Sequence, residues 1–129
     1  MARRTQQAIS TKAAPNPVGP YSRAIKAGGF VLVSGQIPLD PATQRIVEGD
    51  VAAQTERVLL NISAVLKAAG SGMEKVVRCG VFLKNMEDFE AMNAVYVRFF
   101  EGVAPARTTV AVSGLPRNAL VEIDAIALT

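Results

Sequence analysis

The stretch ALVEIDAIAL, residues 119–128, sets two carboxylates, Glu122 and Asp124, in a run that otherwise holds only Ala, Leu, Val and Ile. Side chains alternate between the faces of a strand, so Val121, Ile123, Ala125 and Ala127 share one side. Leu120, Glu122, Asp124, Ile126 and Leu128 share the other. Two readings stand open: a solvated stripe on a sheet with one wet side, or a carboxylate set into a covered cleft. Arg107, in APARTTV, starts another strand whose other members are small or apolar. Its planar fork suits a carboxylate or phosphate, so at a cleft mouth it would clamp an anion. The plainer reading is an ion pair with Glu122 across neighbouring strands joined by a turn. Ser34-Gly35-Gln36 ends a third strand, where a glycine admits ligand or backbone and leaves a hydroxyl nearby. Tyr21, delivered by the rigid GPY loop, offers a phenol and a ring wall, or only a ring for the core.

The sequence contains no histidine. That removes Ser–His and Cys–His nucleophile pairs and the commonest zinc ligand together. Acid–base chemistry falls to carboxylates, Tyr, Lys, Cys or ordered water. The lone Cys79, in VVRCGVFL, has no disulfide partner and reads as a small buried residue, which suits a reducing compartment.

The elements that must position these residues follow from punctuation and period. Gly28-Gly29 joins YSRAIKA to FVLVSGQI as a hairpin. PLDPATQRIVEGD reads as a proline-bounded polar loop ending on Asp50, an N-cap for a helix. The apolar stripe Val58, Leu59, Ile62, Val65, Leu66 and Ala69 has the 3.6-residue period, and Gly70 and Gly72 end it. The strand KVVRCGVFL follows. A second helix starts at Asn85 with the stripe Phe89, Met92, Tyr96 and Phe99. Asn93 lies within that stripe, either bonded to backbone or facing a pocket. The strands RTTVAVS and ALVEIDAIAL close the chain around the turn GLPRN. The order predicts an α+β fold, a sheet with two helices packed on one face. The second face would keep Leu120, Ile126 and Leu128, so a homo-oligomer burying that face is expected, with a ligand cleft between subunits.

At 129 residues the chain is expected to form a single domain, 1–129, with residues 1–8 as a flexible or edge segment. The net charge of +3 is partly terminal, in Arg3, Arg4 and Lys12, and the remaining basic residues are scattered. Neither a basic helix nor a stacking platform accompanies them, so nucleic acid is not the expected partner. MARRTQQAIST lacks the apolar core of a secretory signal, and no apolar run reaches membrane-spanning length. The cytoplasm is the expected location, and the membrane is no partner.

Taken in order, GPYSRAI, LVSGQIP, DVAAQTERVLLNISAVLKAAG, DFEAMNAVY, PAR and VEIDAIA resemble the Rid family of reactive-intermediate deaminases, also called YjgF-like or L-PSP proteins. The resemblance runs from about residue 9 to residue 129. It implies a chorismate-mutase-like α+β subunit assembled as a homotrimer with sites in the intersubunit clefts. It also implies hydrolysis of 2-imino acids and their enamine tautomers, of the 2-aminoacrylate and 2-iminobutanoate type, to 2-oxo acids and ammonia. A functional link to pyridoxal-phosphate-dependent dehydratases comes from the same resemblance. The family's carboxylate-binding arginine falls on Arg107 and its water-orienting glutamate on Glu122. Tyr21, Ser34, Gly35 and Asn93 match its other pocket positions. Fixing a carboxylate and delivering water to an imine carbon requires no metal or cofactor, and none is expected.

Two departures stand out. Thr109 occupies the position where many members have a cysteine, and Ala104 the place of an aromatic before the PAR proline; the 100–107 loop is also short. Thr109 is expected to serve through its backbone, and Ala104 to widen the pocket mouth. Two rival functions are an endoribonuclease and a non-catalytic carboxylate-binding or chaperone-like module of the same fold. Glu122 discriminates against the second, because an anion site gains nothing from a nearby negative charge unless that charge handles water or the ligand's nitrogen. Asp124 is expected to make a structural polar contact between subunits.

Overall fold

The computed structural model describes residues 5–129. Six strands form one sheet: β1 (Gln7–Ile9), β2 (Ala24–Ala27), β3 (Phe30–Gln36), β4 (Val76–Leu83), β5 (Ala106–Ala111) and β6 (Val121–Leu128). Two helices, α1 (Val51–Ala68) and α2 (Phe89–Tyr96), complete the fold. The strand order is β1-β2-β3-β6-β4-β5, with β4 and β5 parallel and every other pair antiparallel. The expected mixed sheet with both helices on one face is therefore present.

Each element has a local cause. Gly28 and Gly29 take positive φ at the β2–β3 turn, as the two-residue hairpin predicts. Asp50 caps α1 by accepting from the Ala53 N–H at 3.1 Å. The α1 stripe is wholly inside, with Val58, Leu59, Ile62, Val65 and Leu66 at most 1% exposed. Each such side chain contributes about 1.5–3 kcal/mol by leaving water. Gly70, at φ 79°, ends the helix. Its N–H bonds Lys67 O and that of Ser71 bonds Leu66 O, which is a Schellman closure.

The helices cover the face formed by Val31, Val33, Cys79, Val81, Leu83, Val121, Ile123, Ala125 and Ala127. The opposite face keeps Phe30, Leu32, Val110 and Leu128 each about 40% exposed or more. Among the described residues no helix is long and apolar enough to cross a membrane.

Of the segment 1–8, Gln7 and Ala8 belong to the edge strand β1, and residues 1–4 lie outside the described part. The structure corrects two other readings. The second helix does not start at Asn85: a 3-10 turn, Met86–Asp88, comes first and α2 begins at Phe89. Asn85 is extended and makes no side-chain cap bond, so nothing fixes a regular turn there. Finally, the strands bearing Arg107 and Glu122 are not neighbours, because β4 lies between them.

Candidate active site

The register places Arg107 and Glu122 on opposite faces of the sheet. Arg107 is level with Cys79, which points to the helices; Glu122 is level with Phe82, one step out of phase. The ion pair between them is thereby excluded within one chain. The sequence-predicted residues divide into two groups accordingly.

The first group surrounds Glu122. Between the pairs Val33–Ala125 and Gln36–Ile123, the β3–β6 ladder sets Ser34 and Gly35 against Asp124 alone, a β-bulge. The bulge turns Gly35 under Glu122, where a Cβ would stand 2.9 Å from the carboxylate carbon. Gly35 is thus required by Glu122 itself, not only by a ligand. Asp124 repeats the arrangement over Gly80, accepting its N–H at 2.7 Å. Glu122, Tyr21, Ser34, Gly35, Val18 and Pro116 line an open cavity of about 510 Å³. Ser34 donates its hydroxyl to Ser22 O at 2.7 Å, and the Tyr21 hydroxyl accepts from the Val18 N–H at 3.2 Å. Burial pushes the Glu122 carboxyl above the usual carboxylate range, and the charge of Asp124 adds to it.

The second group surrounds Arg107. Its guanidinium lies 4.7 Å from the Tyr96 ring centre, 5.7 Å from that of Phe89 and 4.0 Å from the Met92 sulfur. Two aromatic faces and a thioether fix its direction, and among the described residues its fork has no hydrogen bond to a carboxylate. Asn93 shares the helix face of Phe89 and Tyr96, and Thr109 lies two residues along the strand from Arg107. Asn93 Oδ1, Thr109 Oγ1 and Tyr96 Oη are buried without a hydrogen-bond partner among the described residues. Such atoms cost stability and need a reason. Burial raises Tyr96, and it raises the Cys79 thiol as well, the latter offset in part by the Tyr96 hydroxyl.

The family model "Endoribonuclease L-PSP" matches residues 11–129. The chain belongs to the Rid (YjgF/L-PSP) family. Protein DfrA of Myxococcus xanthus is 53% identical over the whole of both chains. A protein of Dermatophagoides farinae named 2-iminobutanoate/2-iminopropanoate deaminase is 43% identical over 92% of each chain. Other relatives, 48–52% identical, carry only the name RutC family protein. The crystal structure of YyfA, a Rid-family protein of Yersinia pestis, covers 97% of this chain and 100% of its own at 45% identity and a TM-score of 0.94.

Sequence reasoning missed several residues of this Rid site. Val18 and Pro116 complete the Glu122 cavity, and Phe89 and Tyr96 hold Arg107. The last two were visible only as a helix stripe, which is the same signal that a core ring gives. Among the described residues no group of three His, Cys, Asp or Glu side chains clusters as metal ligands.

Proposed function

We propose that this Rid protein hydrolyses 2-imino acids and their enamine tautomers to 2-oxo acids and ammonia, in sites shared between protomers of a homotrimer. The observation that carries the proposal is the placement of Arg107 and Glu122 on opposite faces of one sheet, Arg107 in a group with buried polar atoms that have no hydrogen-bond partner among the described residues and Glu122 beside an open cavity. The Arg107 fork of one protomer and the half-buried Glu122 carboxylate of its neighbour together make one site. The exposed apolar face supports assembly, and the relative named as an imine deaminase supports the chemistry.

In this mechanism Arg107 binds the substrate carboxylate bidentately and sets the imine carbon near Glu122. Ionised Glu122 accepts a proton from water as its oxygen attacks that carbon. Protonated Glu122 passes that proton to the nitrogen, giving the carbinolamine; the restored carboxylate then takes the hydroxyl proton and relays it to the nitrogen as the C–N bond breaks, releasing the 2-oxo acid and ammonia. One water is consumed per imine and nothing is oxidised. The imine is intrinsically labile, so positioning and modest acid–base help suffice. Pyridoxal-phosphate-dependent dehydratases release substrates of this class.

The test generates 2-iminobutanoate from threonine with a dehydratase and follows 2-oxobutanoate formation. Wild type should accelerate it, whereas Arg107→Ala and Glu122→Ala should not. Co-refolding equal amounts of the two inactive variants should restore about a quarter of the wild-type rate, because that share of all interfaces joins an intact Arg107 to an intact Glu122. No acceleration by folded wild type would move the reading to a non-catalytic carboxylate-binding module. Failure of the mixture alone would overturn the shared site.

A further inference from the structure

Gln44 is one of three non-glycine residues with positive φ among those described, at 60°; the others are Arg117 at 53° and Asn118 at 58°. A side chain held there persists where its surroundings over-determine it. At Gln44 four hydrogen bonds do so. Two are local: its N–H bonds Asp40 O at 2.8 Å, and its Nε2 donates to Pro41 O at 2.7 Å. The other two reach far along the chain. Gln44 Oε1 accepts the Asn16 N–H at 2.9 Å, and Gln44 O accepts from Arg117 Nη1 at 3.1 Å.

These distant partners stand beside two separate parts of the Glu122 cavity lining. Asn16 lies in the loop that carries Val18 and Tyr21, while Arg117 follows Pro116 in the turn before β6. The Tyr21 loop is secured again at Asn16, whose Oδ1 accepts from Arg23 Nη2 at 2.7 Å. The Pro116 turn is secured at Asn118, whose Oδ1 accepts from Lys84 Nζ at 2.7 Å. Among the hydrogen bonds of the described residues, those of Gln44 join the two loops to each other.

We infer that Gln44 is a positioning residue: it staples the Tyr21 wall to the Pro116 wall and so sets the width of the cavity above Glu122, which decides the size of substrate side chain admitted. The selectivity part rests on the imine-hydrolase reading; the staple itself does not. Gln44→Gly is the informative variant, because glycine takes a φ of 60° without strain. It keeps the turn and the carbonyl that holds Arg117, and loses only the side-chain bonds. Gln44→Glu keeps an acceptor for the Asn16 N–H at the cost of the bond to Pro41.

The sequence has two tyrosines, Tyr21 and Tyr96. Protein labelled with 3-fluorotyrosine therefore gives two 19F resonances, assigned with Tyr21→Phe, and Tyr96 serves as an internal control. In Gln44→Gly the Tyr21 resonance should move and change width while that of Tyr96 stays. In Gln44→Glu the Tyr21 resonance should return towards wild type. Alongside, kcat/KM for the imine of leucine relative to 2-iminobutanoate should rise about fivefold or more in Gln44→Gly, a size expected for a relaxed apolar pocket. An unmoved Tyr21 resonance in Gln44→Gly overturns the staple. A moved resonance with unchanged selectivity overturns the specificity role. Should wild type itself turn over no imine, the functional proposal fails and the resonance alone still decides the staple.

Discussion

The Glu122 carboxylate fills the volume that a side chain at Gly35 would need, 2.9 Å separating its Cδ from where that Cβ would stand. Gly35→Ala must therefore displace Glu122 or the bulge beneath it. The variant should fold and assemble as wild type does, yet lose about 100-fold in kcat on 2-iminobutanoate, the scale of a misplaced general base. Full turnover in Gly35→Ala would show that Glu122 acts from some other position.

Glu122 is held above the usual carboxylate range by burial and by Asp124. Its ionised form is needed as base, so the acid limb of the kcat profile should fall at higher pH than an ordinary carboxylate gives and be missing from the residual activity of Glu122→Gln. The sign for stability follows from linkage. The folded state binds this proton more tightly than the unfolded state, so stability is present below the unfolded pKa and is lost as pH rises through the folded one. Glu122→Gln should thus raise Tm near pH 8, and the gain should shrink towards pH 4. A gain independent of pH would mean that the carboxyl is not perturbed.

Arg107→Lys replaces a fork stacked on two rings by a point charge. KM should rise at least about 10-fold, with a smaller fall in kcat, because carboxylate binding and not proton transfer is what suffers. Initial-rate kinetics separate the two.

Tyr96→Phe keeps the ring against Arg107 and removes a buried hydroxyl whose polar neighbour is the weak Cys79 thiol and which makes no well-formed hydrogen bond among the described residues. Stability should be unchanged or higher by about 1 kcal/mol in denaturant titrations, with activity retained. Tyr96→Ala should instead raise KM, since the guanidinium loses its nearer platform.

Leu32→Glu puts a charge on the exposed apolar face far from Arg107 and Glu122 in sequence. Light scattering should find wild type at about three times the 13.6 kDa chain mass and the variant below it. Activity should fall with the assembly although every chemical group remains.

The helices and strand faces were legible because periodicity reports burial directly: the α1 stripe and the alternation of β6 lie as their spacing dictates. What was not legible is strand order. GLPRN joins β5 to β6 in sequence, and nothing in either strand signals that β4 comes between them, so the plainer reading of an Arg107–Glu122 ion pair fails. Nor did SGQ announce a bulge, since the phase change is visible only against the partner strand. Asn93 stood out as a polar residue in an apolar stripe; it is half-buried, and its Oδ1 has no hydrogen-bond partner among the described residues. Gln44 carried no signal at all, because its role lies in two contacts 28 and 73 residues away.

The bulge at Ser34-Gly35 makes the length of β3 part of the chemistry. Val31 and Val33 point to the helices and so does Gln36, a step of three where a regular strand steps by two. Deleting one residue there would heal the ladder, return every later side chain to even count and leave Glu122 without its recess. Surface loops accept changes of length far more readily, but in this strand the number of residues, as much as their identity, is under constraint.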